Sequence, residues 1–475
     1  MKKILVISEA LGEPSHKRGI FHFTRELIRS LAAEGHSLTL LVETTRAYRK
    51  LRRRQERAGL FPKGSRVIEL LALYRFLDTA ELGEPTRNSS LRRMADWLRY
   101  RIFMATSWEF ASCLLRAAGV MRLRKRLIEN NTVGLEYIPT DLRHLKLFQD
   151  FLLEPGFYSY QDLSALTRLP PPRVDARGHD IVLVDTPTRV AIRRGPDTRV
   201  ICVVHDLLPL TDLKLSDVAT QLFLYRLLTS LQQADELAFV SNYSLGRFRE
   251  LLPQFAHLPA RVVYPRTRFE SAEAMPARSA HPSPVRPRFV VIVSAEPRKN
   301  LQGVIRAFSK LPQADLVVIG YAGRTKFMRN APPNVKFAGY VDEQDKAALI
   351  AEAHGLIMPS LAEGFGVPII EALAANTPVL CSDIPVFREV AGDLADYFDP
   401  FATASICASV KRVIAQQDEQ RARIRDRQAD LARRFGYQTQ ARDFLGHEPG
   451  ADPAAAAPAP PAPDPAVAGL AAQGL

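Results

Sequence analysis

The chain has 475 residues, 47% of them hydrophobic, 24% charged and 8% aromatic. That is about three times the usual domain size and enough apolar material for two cores, which excludes collagen, a disordered regulator and a disulfide-stapled secreted module. The formal net charge of +13, from 64 Lys and Arg against 51 Asp and Glu, suits an anionic partner: nucleic acid, a membrane surface or a phosphorylated substrate.

The opening MKKILVISEA has a positive tip but only a short apolar run before Glu9, Gly12 and Glu13. It reads as a first strand, Ile4 to Ser8, rather than a secretory leader. A loop over residues 10–20 follows, then an amphipathic helix from Phe23 to Glu34 with Leu27, Ile28 and Leu31 on one face. Gly35 and His36 end it, and Ser37 to Glu43 is a second strand. Strands alternating with helices predict a parallel sheet covered on both faces. Short Val/Ile-rich runs at Asp180–Asp185 and Arg199–Val204 extend it.

Residues 44–150 interrupt this grammar with a basic insert. Seven of the twelve residues from Arg46 to Arg57 are cationic. Arg92, Arg93, Arg99 and Arg101 then lie beside Trp97, Tyr100, Phe103 and Trp108, and Arg122, Arg124, Lys125 and Arg126 follow. Two readings stand: solvated helices, or a surface for an anionic membrane with aromatics at headgroup depth. No nucleic-acid-binding motif accompanies the charges, so nucleic acid is not expected as a partner. The most apolar long stretch, Ile102 to Val120, is broken by Glu109 and Arg116 and makes a poor membrane span. Cys113, Cys202, Cys381 and Cys407 form no CxxC pair, so neither a metal cluster nor a disulfide framework is expected. The protein is expected in the cytoplasm, or peripheral on the inner face of the cell membrane.

Residues 271–288, rich in Pro, Ala and Ser, read as a linker after a first domain of residues 1–270. In the second domain, residues 289–430, the grammar restarts. Strands are expected at Phe289–Val293, Asp315–Gly320, Val335–Ala338 and Gly355–Met358, and helices at Asn300–Phe308 and Asp345–Ala353. A helix over 431–448 and a disordered Ala/Pro-rich tail over 449–475 close the chain.

The most informative segment is SLAEGFGVPIIEALAANTPVLCSD, residues 360–383. A strand ends near Met358, a glycine-bearing loop follows, and a helix opens near Pro368. Gly364 and Gly366 allow close backbone approach, and the helix start offers free N–H groups and a positive dipole end for a phosphate. Glu363 and Glu371 can face the cleft at opposite ends of one elongated ligand, each carboxylate accepting hydroxyls of a sugar or ribose.

EGFGVPIIEALAANTPVL resembles the Glu-x7-Glu signature of retaining glycosyltransferases with two Rossmann-like domains, especially glycosyltransferase family 4. SAEPRKNLQGVIRAF (294–308) resembles that family's donor-diphosphate segment, and VVHDLLPL (203–210) its active-site histidine loop. RGIFHFTRELIRSLAAEGHSL (18–38) resembles its amino-terminal glycine loop and first helix, and FGYQTQARDFL (435–445) its terminal helix, which crosses back to the first domain. The resemblance implies an α/β protein of the GT-B fold, two Rossmann-like domains facing across a cleft.

It also implies roles. Lys299, with Arg298, neutralises the donor diphosphate; Ser294 stands where the family often has a second arginine. Glu363 holds hydroxyls of the donor sugar and Glu371 the nucleotide ribose, and the N–H groups around Phe365, Gly366 and Val367 face the diphosphate or sugar. His205 sits beside the anomeric carbon. Gly19 lets the first loop approach phosphates or acceptor, Asp206 orients His205 or forms a turn, and Asn242 lines the cleft. No Asp-x-Asp motif is present, so no metal or cofactor is expected beyond the nucleotide-sugar substrate. The segments most resemble bacterial mannosyltransferases, which implies GDP-mannose as donor and a glycan or lipid-linked saccharide as acceptor, in exopolysaccharide or lipopolysaccharide assembly. A UDP-hexose-dependent relative and a non-catalytic nucleotide-sugar-binding member are the alternatives.

Overall fold

The computed structural model describes residues 1–12, 19–44, 46–58, 114, 127–129, 140–167, 169–211, 220–269, 286–294, 296–320, 330–339, 341–437 and 440–446. Most of the basic insert and linker, and all of the tail from 449, lie outside the described residues.

In chain order the strands of the first half are β1 (Lys3–Ile7), β2 (Ser37–Thr44), β3 (Leu127–Glu129), β4 (Asp150–Pro155), β5 (Arg173–Asp175), β6 (Ile181–Val184), β7 (Ala191–Arg193), β8 (Arg199–Val204), β9 (Glu236–Phe239) and β10 (Ala260–Val262). Eight of them form one sheet in the order β10-β9-β8-β6-β1-β2-β4-β3, and β5 pairs with β7 separately. All pairs in the larger sheet are parallel except β3 with β4. Ile4, Leu5, Val6 and Ile7 are buried together, as a strand covered on both faces requires.

The second half contributes β11 (Arg288–Ile292), β12 (Asp315–Ile319), β13 (Val335–Gly339), β14 (Gly355–Met358), β15 (Val379–Ser382) and β16 (Ala395–Phe398). They pair in parallel in the order β13-β12-β11-β14-β15-β16, the Rossmann arrangement, whose direction of winding reverses between the first and fourth strands. The helices that matter below are α1 (Gly19–Ala33), α2 (Arg46–Ala58), α3 (Asn242–Leu251), α4 (Leu301–Phe308), α5 (Glu343–Glu352), α6 (Val367–Ala374) and α7 (Pro385–Ala391).

Two elements differ from the sequence reading. β4, a strand the sequence reading did not assign, follows the expected insert and pairs with β2 over six residues from Thr39↔Asp150 to Thr44↔Pro155. The expected closing helix is interrupted. Gln428–Phe435 stops at Gly436, whose φ of −79° and ψ of 160° are extended, and a Cβ there would stand 2.3 Å from the Ala432 carbonyl oxygen.

The returning segment is tied to the first half. Thr267 N donates to the Phe435 carbonyl at 2.9 Å, and Arg266 donates to the Arg434 carbonyl and the Asp443 carboxylate. Ala441 N bonds Ser30 Oγ of α1 at 3.0 Å. Phe435 itself is fully buried, with ring centroids 5.5 Å from Tyr264 and 5.9 Å from Phe365. Truncating a ring so enclosed leaves a cavity as well as losing burial. Phe435→Ala is therefore expected to lower unfolding free energy by about 3–5 kcal/mol in urea titrations, and a loss under about 1 kcal/mol would contradict this packing.

Candidate active site

Open parallel sheets bind ligands beyond the carboxyl ends of their strands, where the winding reverses. In the second sheet that place lies between β11 and β14, and the two loops leaving those strands carry the sequence-predicted donor residues. After β11, Pro297–Lys299 form a single 3-10 turn. Asn300 then adopts a left-handed φ of 46° and caps α4, accepting from Gly303 N at 3.2 Å. After β14 the loop runs to Gly366, whose φ of 104° is open to glycine alone, and α6 begins with Pro368 in its first turn. That proline carries no N–H, so the amide of Val367 is the open donor at the helix start.

The two loops are joined by charge. Glu363 is buried; its Oε1 accepts from Lys299 Nζ at 2.5 Å and its Oε2 from Arg298 Nη1 at 2.6 Å. Arg298 also donates to Glu296 Oε2 at 2.6 Å, and Ser294 Oγ donates to Glu296 Oε1 at 2.8 Å. Burial opposes ionisation of Glu363, but the Lys299 and Arg298 charges outweigh it and hold its carboxyl at about 2. Arg298 is desolvated too, yet Glu363 and Glu296 together push its pKa above the ordinary value. Two cations and two carboxylates thus close a neutral group. Arg298 is gripped by both acids, whereas Lys299 answers to Glu363.

Opposite this loop stands the end of β8. His205 Nε2 lies 2.8 Å from the Asp185 carbonyl oxygen; a carbonyl only accepts, so Nε2 carries the proton and Nδ1 keeps its lone pair. The ring packs edge-on against Phe23 at 5.0 Å. Burial lowers the imidazole pKa to about 4 against a smaller opposing effect of the Asp185 carbonyl, so His205 is neutral. Asp206 does not orient it: Asp206 Oδ1 accepts from Leu208 N at 3.1 Å, a turn contact. Gly364 meets this loop directly, since a Cβ on it would lie 2.4 Å from the His205 carbonyl oxygen.

Glu371, in α6, accepts from Lys346 Nζ through Oε1 at 2.9 Å, and its Oε2 is buried without a protein partner. Lys346, on α5, also pairs with Glu343 at 3.0 Å, and Glu343 meets His22 of α1 at 3.4 Å. Burial disfavours the Lys346 ammonium, but Glu371 and Glu343 raise its pKa above the usual lysine value.

Residues 277–430 match the family model described as glycosyl transferases group 1. That stretch contains β11, β14, α6 and both halves of the charged group. It is a glycosyl transferases group 1 domain. An O-antigen chain mannosyltransferase B from Escherichia coli is 28% identical over 229 residues, 44% of this chain and 59% of its own length. The O-antigen chain mannosyltransferase RfbU from Salmonella typhimurium is 33% identical over 134 residues, 26% of this chain and 38% of its own. The matches thus span 59% and 38% of these relatives' lengths. A sucrose-phosphate synthase structure from Thermosynechococcus elongatus superposes with a TM-score of 0.55 at 15% identity, over 93% of this chain and 96% of that one. The architecture is the GT-B fold.

Around this glycosyl transferases group 1 domain, the remaining sequence-predicted residues fall in two places. Asn242, expected in the cleft, starts α3 and belongs to a joint with α7. Glu389 accepts from Asn242 N at 2.7 Å, Tyr243 N at 2.8 Å and Tyr264 Oη at 3.0 Å. Phe365 joins the same place through Tyr264, with centroids 5.8 Å apart. Gly19 is exposed at the start of α1, and a Cβ there would meet nothing within 4 Å. Lys346, Asp185 and Glu389 were not singled out from sequence, because their partners stand far along the chain; Glu296 was passed over although Ser294 and Arg298 lie two residues from it. Among the described residues no group of three or more His, Cys, Asp or Glu side chains is arranged to hold a metal.

Two outcomes follow from the charged group and the glycine contact. Glu363→Gln strands Lys299 and leaves Arg298 with Glu296 as its remaining acid, and should cost about 3–5 kcal/mol near neutral pH. Because the folded-state pKa is depressed to about 2, that contribution is full above the ordinary carboxylate range and is lost as pH falls toward the folded value. Urea midpoints of wild type and variant should therefore converge in acid, and a gap independent of pH would contradict the pairing. Gly364→Ala should force the two loops apart and lower the urea midpoint while leaving the fold's circular dichroism intact; an unchanged midpoint would show that the close contact is dispensable.

Proposed function

We propose that this chain is a retaining, metal-independent hexosyltransferase that moves mannose from GDP-mannose to a glycan or lipid-linked saccharide acceptor in bacterial polysaccharide assembly. UDP-hexoses are the next donors to consider. The O-antigen mannosyltransferase relatives support the sugar and the pathway class. The observation that carries the reading is the neutral group of Lys299, Glu363, Arg298 and Glu296 set against the His205 loop.

Its chemistry suits sugar–phosphate cleavage. An incoming diphosphate competes with Glu363 for Lys299, and the released carboxylate is then free to accept hexose hydroxyls. Arg298, still held by Glu296 and the Ala362 carbonyl at 3.2 Å, keeps the loop in place. The bond between the anomeric carbon and the diphosphate oxygen breaks, and its electron pair stays on the diphosphate, where Lys299 and the Val367 amide stabilise it. The acceptor oxygen bonds to the same face of the sugar, and its proton passes to the departing phosphate oxygen. No separate base or metal is needed in this scheme. Neutral His205 offers Nδ1 as an acceptor beside the anomeric centre. Glu371 offers its free Oε2 to the ribose, while Lys346 fixes the other oxygen.

The acceptor side rests on charge. On α2, Arg49, Lys50, Arg53, Arg54 and Arg57 are exposed at helical spacing along one stripe, which suits an anionic membrane surface. No helix among the described residues is long and apolar enough to cross a membrane, so the contact we propose is peripheral.

The test is nucleotide release against a panel of sugar nucleotides, with EDTA present. Wild type should release GDP from GDP-mannose, and Lys299→Ala and Glu363→Gln should slow release by about 10²–10³. Lys346→Met should weaken nucleotide binding about tenfold. Equal release by the variants would sink the site assignment. Tight nucleotide binding without release, even with a lipid-linked acceptor, would make the chain a binding protein.

A further inference from the structure

Asp185 is a buried acid beside the His205 loop that this scheme leaves unused. It follows β6 where the winding of the first sheet reverses, beside β1, and it is completely buried. Its Oδ2 accepts from Ser8 Oγ, which follows β1, and from Thr24 Oγ1 of α1 at 3.0 Å. Its Oδ1 lies 3.2 Å from Thr186 Oγ1. Among the described residues no cation pairs with it. The charged neighbour that acts on it is another acid, Glu9, itself paired with Arg226 at 2.9 Å. The other titratable groups facing it are Cys202 on β8, whose thiol burial pushes up to about 12, and His205, already neutral.

We propose that Asp185 is a positioning residue for the transfer reaction, whose carboxyl group sets the start of α1 and the His205 ring in two hydrogen-bonded arrangements, one for each protonation state. The proposal rests on the transferase reading for its functional meaning. Its geometry is local. Thr24 Oγ1 has a single hydrogen and two acceptors at 3.0 Å: Asp185 Oδ2 and the Ile20 carbonyl of its own helix. When Asp185 is ionised, Thr24 donates to it. When Asp185 is protonated, Oδ2–H needs an acceptor, and Thr24 supplies one by turning its hydrogen to Ile20. Both states are satisfied, and the proton moves a hydrogen bond into the first turn of α1. Phe23, adjacent to Thr24, lies edge-on to His205 at 5.0 Å, and the Asp185 carbonyl holds His205 Nε2–H, so both routes end at the same ring. Burial raises the carboxyl to about 7, against the three hydroxyls that favour its charge, which puts the exchange at physiological pH.

The experiment follows the His205 ring resonances by NMR between about pH 5 and 9, in wild type, Asp185→Asn and Thr24→Val, beside the pH dependence of kcat/KM for the donor. Wild-type resonances should inflect near 7, where Asp185 titrates, and Asp185→Asn should lose that inflection together with the matching limb of kcat/KM. Thr24→Val should shift it upward by about one unit, since the bond to the charged form is the stronger one lost. If Asp185→Asn does not fold, Thr24→Val carries the test. Flat wild-type resonances, or an inflection that survives Asp185→Asn or is unmoved in Thr24→Val, would overturn the proposal. Failure of the transferase reading looks different: no donor is turned over, while the His205 inflection and its loss remain.

Discussion

Residue 364 has no room for a side chain, and the arrangement of the site depends on that. A Cβ there would fall 2.4 Å from the His205 carbonyl oxygen and 3.0 Å from the Asp206 Cβ. Two loops from different sheets can meet only because the backbone of one presses against the backbone of the other. Hydroxyls hold the contact: Ser241 Oγ donates to the Gly364 carbonyl at 2.8 Å, and Ser244 Oγ to that of His205 at 3.2 Å. Glu363 is the neighbour of this glycine, so the contact fixes how far its carboxylate stands from the histidine loop. A larger residue at 364 would leave every charged group present and the site unassembled.

Burying charge is costly unless partners replace water, and the two acidic positions on the second-sheet side meet that demand alike. Glu363 is clamped by Lys299 and Arg298, and Glu371 by Lys346. In each case a cation from a different element holds the carboxylate. The pairs differ in what remains free. Both oxygens of Glu363 are engaged, so a ligand there must displace a cation, whereas Glu371 keeps Oε2 without a protein partner. A phosphate is well suited to the first exchange, because it offers Lys299 an anion in return. A neutral hydroxyl is suited to the second, because nothing has to be displaced.

What the sequence made legible follows from how far apart the interacting residues lie. Buried strands such as Ile181–Val184 announce themselves by continuous apolar runs, and the spacing of Glu363, Gly364, Gly366 and Glu371 along one strand–loop–helix is a local pattern. Lys299 and Glu363 are 64 residues apart, but each lies in a recognisable segment. Lys346 sits in an ordinary charged helix, and only folding places it on Glu371. Asp185 and Thr24 are 161 residues apart, and Asp185 reads as the polar end of a strand. β4 went unrecognised because the basic stretch before it masked a six-residue strand. Asp206 was open to two readings, and its turn bond to Leu208 shows how an aspartate beside a histidine need not act on it.

The joint between α3 and α7 holds the two sheets by one carboxylate set on neutral donors. Glu389 places a carboxylate on the open N–H groups of Asn242 and Tyr243 and on the Tyr264 hydroxyl, all neutral donors at the positive end of a helix. Beside it Tyr264, Phe365 and Phe435 pack ring on ring. The Arg434 guanidinium lies over two of these rings, 5.1 Å from the Tyr264 centroid and 4.7 Å from that of Phe435. Arg298 and Lys299 stand instead in the turn after β11, and Asp185, a buried acid with no cation paired to it among the described residues, follows β6 of the other sheet. Support and site thus draw on different side chains in this structure: Glu389, Tyr264 and Phe435 fasten the joint, while Lys299, Arg298 and Glu363 close their own neutral group between the two loops.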